Sequence, residues 1–161
     1  MHTHASKLRT RGFTLIEVLI VIGIIAILAA IVLIAINPAR QFAQANNAQR
    51  SSNVAAILNA VGQYVVDHKG ALPSDLPPDG DPAEEIAMAD FENFCDELVP
   101  TYIPALPADP SEEDQSITED ECDDSGKSTG YAITLEGGRI TISAPGAEEI
   151  DGAAPEISVT R

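Results

Sequence analysis

From Val18 to Ile36 this chain runs nineteen residues without a charge, nearly all of them Ile, Leu, Val or Ala. A stretch of that length reads as a membrane-crossing helix, because in hydrocarbon a helix satisfies every backbone polar group within one segment. Counted from Phe13, the helix would be roughly 36 Å long, enough to cross a hydrocarbon core. Residues 1–12 carry Lys7, Arg9 and Arg11 and no acid. Basic flanks favour the cytoplasmic side, so the amino end is expected inside and the bulk of the chain outside. Glu17 stands at the start of the apolar run. A carboxylate at bilayer depth is costly and is a functional hypothesis by default. A secretory signal peptide would need a shorter apolar core and a small-residue cleavage site; Ala29-Ala30 is small, but the apolar run continues past it. An uncleaved anchor explains length and orientation and leaves Glu17 unexplained, unless its carboxylate snorkels near the helix end.

The run Arg11-Gly12-Phe13-Thr14-Leu15-Ile16-Glu17, behind its basic leader, resembles the processing site of type IV prepilins and type II secretion pseudopilins. The resemblance implies a leader at 1–12, a transmembrane or filament-core helix at 13–36, and an amphipathic helix with an acidic globular head at 37–161. It implies cleavage by a prepilin peptidase between Gly12 and Phe13, methylation of the Phe13 amino group, and no catalysis by the chain itself. Glu17 would face the cationic terminus of Phe13 on a neighbouring subunit, a buried pairing that fixes register more than it stabilises. The expected partners are the peptidase, an inner-membrane assembly platform, the membrane and further copies of the chain in a filament. The expected location is the bacterial inner membrane, single-pass with a cytoplasmic amino end, and then an extracellular or periplasmic fibre. The family spans adhesive pili, DNA-uptake pili and secretion pseudopili alike. The fold implied is α+β, a long N-terminal helix on a small antiparallel sheet. Ala26 and Ala30 have the small-xxx-small spacing that allows close helix approach.

Asn37-Pro38 interrupts the helix, since proline removes a donor and disfavours helical angles in its predecessor. Many pilins break about one turn earlier. Polar residues then fill 40–53, and Val54, Ile57, Leu58, Val61 and Val65 recur at intervals of three and four. That stripe predicts an amphipathic helix with its apolar side in the head core. Gly70 after His68 and Lys69 reads as its stop signal.

Between Ser74 and Asp124 there are eighteen acids and no Lys or Arg. Without the leader, six basic residues would face 25 acidic ones. Such a field repels phosphate, so direct nucleic-acid binding is not expected. Asp81-Pro82-Ala83-Glu84 reads as a helix start with an N-cap acid and a first-position proline, and Ile86, Phe91, Phe94 and Leu98 read as its buried side. The proline-rich run 98–110 reads as an ordered extended connection and resembles the Tyr-x-Pro-x-Leu-Pro-x-Asp-Pro segment of many pseudopilins. Cys95 and Cys122 both lie in the part expected outside, where disulfides persist. A Cys95–Cys122 bridge is the expectation and two free thiols the alternative. Residues 131–136, 139–143 and 156–160 alternate like strands, and Gly137-Gly138 is a two-residue hairpin signal.

Catalytic and cofactor signals are sparse. His68 is the sole histidine beyond the leader and has no nucleophile motif near it. Gly126-Lys127-Ser128 lacks the first glycine of a phosphate loop. The acidic loop at Asp109, Glu112, Glu113 and Asp114 offers hard oxygen ligands, and some major pseudopilins hold calcium in the comparable loop. Asp109 and Asp114 are therefore candidate calcium ligands, without EF-hand spacing; a plain acidic surface is the alternative. The competing functional class is a monomeric membrane-anchored module whose acidic head captures calcium or a basic partner.

Overall fold

The computed structural model describes residues 12–161, so the expected leader lies outside the described residues except for Gly12. The chain divides into two units with the boundary between Gln41 and Phe42. Helix α1 spans Leu15–Ile36, and α2 spans Pro38–Asp67. The interruption falls at Asn37, which is left-handed at φ 47° and ψ 80°. Asparagine is among the few side chains that tolerate that region, and Pro38 then supplies a helical φ at a position where no amide is needed. At its other end α2 closes with Lys69 at φ 58°, its N–H donating to the Val66 carbonyl and the Gly70 N–H donating to the Val65 carbonyl. That is a Schellman closure with lysine at the left-handed position and glycine just after it.

The head is built on a four-stranded antiparallel sheet. Its strands are β1 (Glu84–Ala87), β4 (Ser128–Glu136), β5 (Arg139–Ser143) and β6 (Ser158–Thr160), in the spatial order β1-β4-β5-β6. Helix α3 (Glu92–Leu98) follows β1, and a two-stranded ribbon pairs β2 (Leu106–Pro107) with β3 (Ser116–Ile117). The β4–β5 turn is Gly137-Gly138, both at positive φ, with Glu136 opposite Arg139. A type I′ hairpin turn demands that conformation at both positions, which is why two glycines stand there. The apolar stripe of α2 shares one core with the inward residues of the sheet and with α3: Ile57, Ile86, Phe94, Leu98, Tyr131 and Ile142 are all fully buried.

One expectation is corrected. Asp81-Pro82-Ala83-Glu84 does not open a helix; Glu84–Ala87 is strand β1, and the helix begins only at Glu92, after Phe91. Long β4 has one edge covered by β5, and its other edge offers unpaired backbone groups to β1 in the register Glu84 opposite Ile133 and Glu85 opposite Ala132. Pairing there buries Ile86 completely and lets the Thr129 hydroxyl donate to the Ile86 carbonyl. A cap worth about 1 kcal/mol cannot outweigh that. The four apolar residues assigned to that helix are buried nonetheless, one of them on the strand.

Candidate functional site

Near the amino end of the described chain, Phe13 lies outside helix α1 and is 83% exposed. Thr14 is the N-cap of α1: its Oγ1 accepts from the Glu17 N–H at 3.2 Å, and a Glu17 carboxylate oxygen accepts from the Thr14 N–H at 3.5 Å. This reciprocal capping box follows from the Thr14-Leu-Ile-Glu17 spacing, a signal that a reading centred on the charge of Glu17 passes over. The box places the carboxylate in the first turn, where the helix dipole favours an anion. One long bond to Thr14 leaves that carboxylate most of its acceptor capacity. It therefore sits at the helix mouth, close along the chain to the Phe13 amide nitrogen that trimming would turn into an amine.

Beyond the cap, the large apolar side chains of α1 from Leu15 to Leu33 are all exposed. The 19 residues Leu15–Leu33 are long and apolar enough to cross a membrane. An apolar surface of this size on an isolated chain requires lipid or partner helices to cover it.

The head holds a second constellation, unforeseen in the sequence. Arg50 of α2 is 1% exposed and Asp109 is 2% exposed. Arg50 Nε donates to one Asp109 oxygen at 2.7 Å and Nη2 to the other at 2.8 Å. Its Nη1 donates to Asn47 Oδ1 at 2.9 Å and to Glu148 Oε1 at 3.1 Å. Asn47 closes the ring, donating to the Glu148 carbonyl and accepting the Glu148 N–H. Asn53, one turn further along, donates to the Ala108 carbonyl and the Tyr131 hydroxyl. Burial works to raise the Asp109 pKa, but the Arg50 and Ser111 hydrogen bonds win and hold it below the usual carboxylate range. The Asp109 hydrogen bond, against the cost of burial, raises the Arg50 guanidinium above its ordinary value. The network latches α2 to the loops after β2 and β5. A signal for it existed: Ala43, Asn47 and Arg50 continue the spacing of the apolar stripe, and polar groups at stripe positions need buried partners.

This latch decides where the calcium candidates go. Asp109 is held by Arg50, and Asp114 pairs with Lys127, which also reaches Glu121 at 3.2 Å. The two carboxylates are thus engaged by different cations. Among the described residues no group of three or more His, Cys, Asp or Glu side chains converges on a metal position. Glu121 is held down to about 2, first by the Thr118 backbone N–H, then by the Thr118 hydroxyl and Lys127. Cys95 of α3 and Cys122 form a buried disulfide that ties the acidic loop to the core. His68 stacks on Tyr64 with ring centres 3.9 Å apart, its Nδ1 2.9 Å from the Tyr64 carbonyl, as a helix-end residue does.

Residues 7–33 match the model of the prokaryotic N-terminal methylation motif, the hallmark of the prepilin-type segment of type IV pilins and pseudopilins. No curated protein and no solved structure matches the chain. The motif covers the start of the chain and most of the apolar helix, and an α+β head of pilin-like architecture follows.

Proposed function

We propose that this chain is the structural subunit of a type IV pilus-like or type II secretion pseudopilus filament. A prepilin peptidase cuts it between Gly12 and Phe13 and methylates the new amino group. The processed chain waits in the inner membrane with its amino end cytoplasmic, and an assembly platform stacks the α1 helices into a fibre core. The acidic heads face outward, in the periplasm or outside the cell. The observation that carries this reading is the prepilin-type segment, which runs into an apolar helix whose large side chains from Leu15 to Leu33 are exposed.

Within that reading Glu17 has two successive partners. In the single chain its carboxylate caps α1 through Thr14. In the fibre it receives the positive amino group of Phe13 from a neighbour, a charged donor that outcompetes a long amide bond. Each subunit presents one cation and one anion a turn apart on the same helix, so a mismatch in register leaves a buried charge unpaired, at a cost of several kcal/mol. The pairing therefore selects position along the fibre, while packing of Ile, Leu and Val supplies cohesion. Glu17→Val should leave membrane insertion unchanged and abolish filaments seen by electron microscopy. Filaments of normal abundance from that variant would remove the pairing from the mechanism.

A further inference from the structure

Near the start of α2, Ala43, Asn47 and Arg50 are buried within the head, whereas Phe42, Ala45 and Gln49 are exposed. Phe42 is 69% exposed. The head's other large rings are withdrawn from water: Tyr64, Phe91, Phe94 and Tyr131 are buried and Tyr102 is half-buried. A lone exposed apolar side chain needs no explanation by itself. What singles out Phe42 is its place, because it is the first large apolar residue after the helix that can cross a membrane.

Phe42 follows Ile36, the end of the apolar run, by six residues. That length holds it within ~20 Å of the end of the run if the link is fully extended, and about 9 Å if it is helical. The headgroup layer beyond the hydrocarbon core is about 5–7 Å deep on each side. The tether therefore keeps the ring within reach of the lipid surface. Charge agrees with that position. Between Glu17 and Asp67 the sequence has no acid, in a chain that holds 25 Asp and Glu. Glu148, which reaches this part of α2 from the loop after β5, has its carboxylate engaged by Asn46 and Arg50. The segment that leaves the span thus brings no carboxylate of its own to an anionic lipid surface, which would repel one.

We propose that, in the chain before assembly, the Phe42 ring seats in the boundary between lipid headgroups and acyl chains on the side of the membrane where the head emerges. Apolar side chains of interfacial helices bury to this depth, about 5–10 Å into that boundary, without spanning the bilayer. The ring holds the start of the head at the bilayer surface, while the acidic remainder stays in water. This contact rests on the membrane-anchored reading above and adds to it a lipid contact made outside α1.

The chain contains no tryptophan, so Phe42→Trp introduces a single emitter. The full-length variant is reconstituted in phosphatidylethanolamine–phosphatidylglycerol vesicles and read for its emission maximum and for quenching by lipids brominated at shallow or deep acyl positions. Val66→Trp, at a similarly exposed site 24 positions further along α2, controls for the affinity of tryptophan itself for interfaces. Phe42→Trp should show a blue-shifted emission that shallow bromines quench more than deep ones, and Val66→Trp should show neither. Emission from Phe42→Trp that bromolipids leave unchanged, in a chain that floats with the vesicles, would overturn the contact and leave the anchored reading standing. A blue shift without quenching would overturn it as well, since the ring would then be covered by protein. Equal quenching of both variants would do the same, because the head as a whole would lie on the lipid. A chain that does not float with the vesicles would overturn both readings.

Discussion

Helix α1 and the head solve opposite problems with the same residue types. In α1 the Ile, Leu and Val side chains from Leu15 to Leu33 are exposed. In the head most of the same side chains are buried in one core, and much of the surface is given to carboxylates. The polar exceptions are inverted as well. Glu17 is an exposed acid on an apolar helix, whereas Arg50 and Asp109 are a buried ion pair under an acidic surface. The head's exception is satisfied within the chain, by a bidentate pair and seven further hydrogen bonds around Asn47, Ser111 and Glu148. The exception in α1 keeps unused acceptor capacity. The buried pair is consumed in folding, whereas the Glu17 carboxylate stays available for the pairing proposed above.

That contrast can be broken first at the latch. Arg50→Ala leaves Asp109 buried without its cation, and should cost about 3–5 kcal/mol. Thermal unfolding of the full chain in detergent should show the loss, with membrane insertion unaffected. A double replacement by apolar residues of similar volume, Arg50→Met with Asp109→Leu, should recover most of the stability; no recovery would mean that the pair contributes more than its own compensation.

Opening the Cys95–Cys122 disulfide comes next. The bridge spans 27 residues of largely polar chain, so Cys95→Ser with Cys122→Ser should cost about 3–4 kcal/mol in the chain-entropy model. Denaturant midpoints of the bridged and serine forms measure it.

A smaller effect belongs to the α1 cap. Thr14→Ala removes the acceptor for the Glu17 N–H and should cost about 1 kcal/mol of local helix stability, read as faster amide exchange over residues 15–18. Thr14→Ser should restore protection.

The mildest probe is pH. Glu121 has a folded pKa of about 2, below its ordinary 4.5, so the unfolded chain binds the proton more tightly. Its contribution is complete above pH 4.5 and fades as the pH falls toward 2. Asp109 acts in the same sense below the usual carboxylate range. Acid unfolding of Glu121→Gln should lose the Glu121 part of that slope and keep the rest; an unchanged curve would assign the slope to other carboxylates.

Much of this architecture was legible from the chain. The uncharged run of α1, the break at Asn37-Pro38, the stripe from Val54 to Val65 and the Gly137-Gly138 turn are local patterns, and local patterns survive in one dimension. The Thr14–Glu17 box was equally local. What escaped was set by distance along the chain. Strand β1 is decided by β4, more than forty positions later, which overrides the cap signal at Asp81. Arg50 reads as a solvated polar residue until Asp109 and Glu148, 59 and 98 positions away, arrive beside it. The cations that engage Asp109 and Asp114 also lie elsewhere in the chain: Arg50 stands 59 positions before the first and Lys127 13 positions after the second.

The account turns on removal of the leader, because only a new amine at Phe13 gives Glu17 a cationic partner. Mass spectrometry of the intact chain recovered from membranes of cells that hold a prepilin peptidase tests this directly. The account predicts a chain that starts at Phe13 and is heavier by one methyl group. A chain that begins at Met1 in those cells contradicts it.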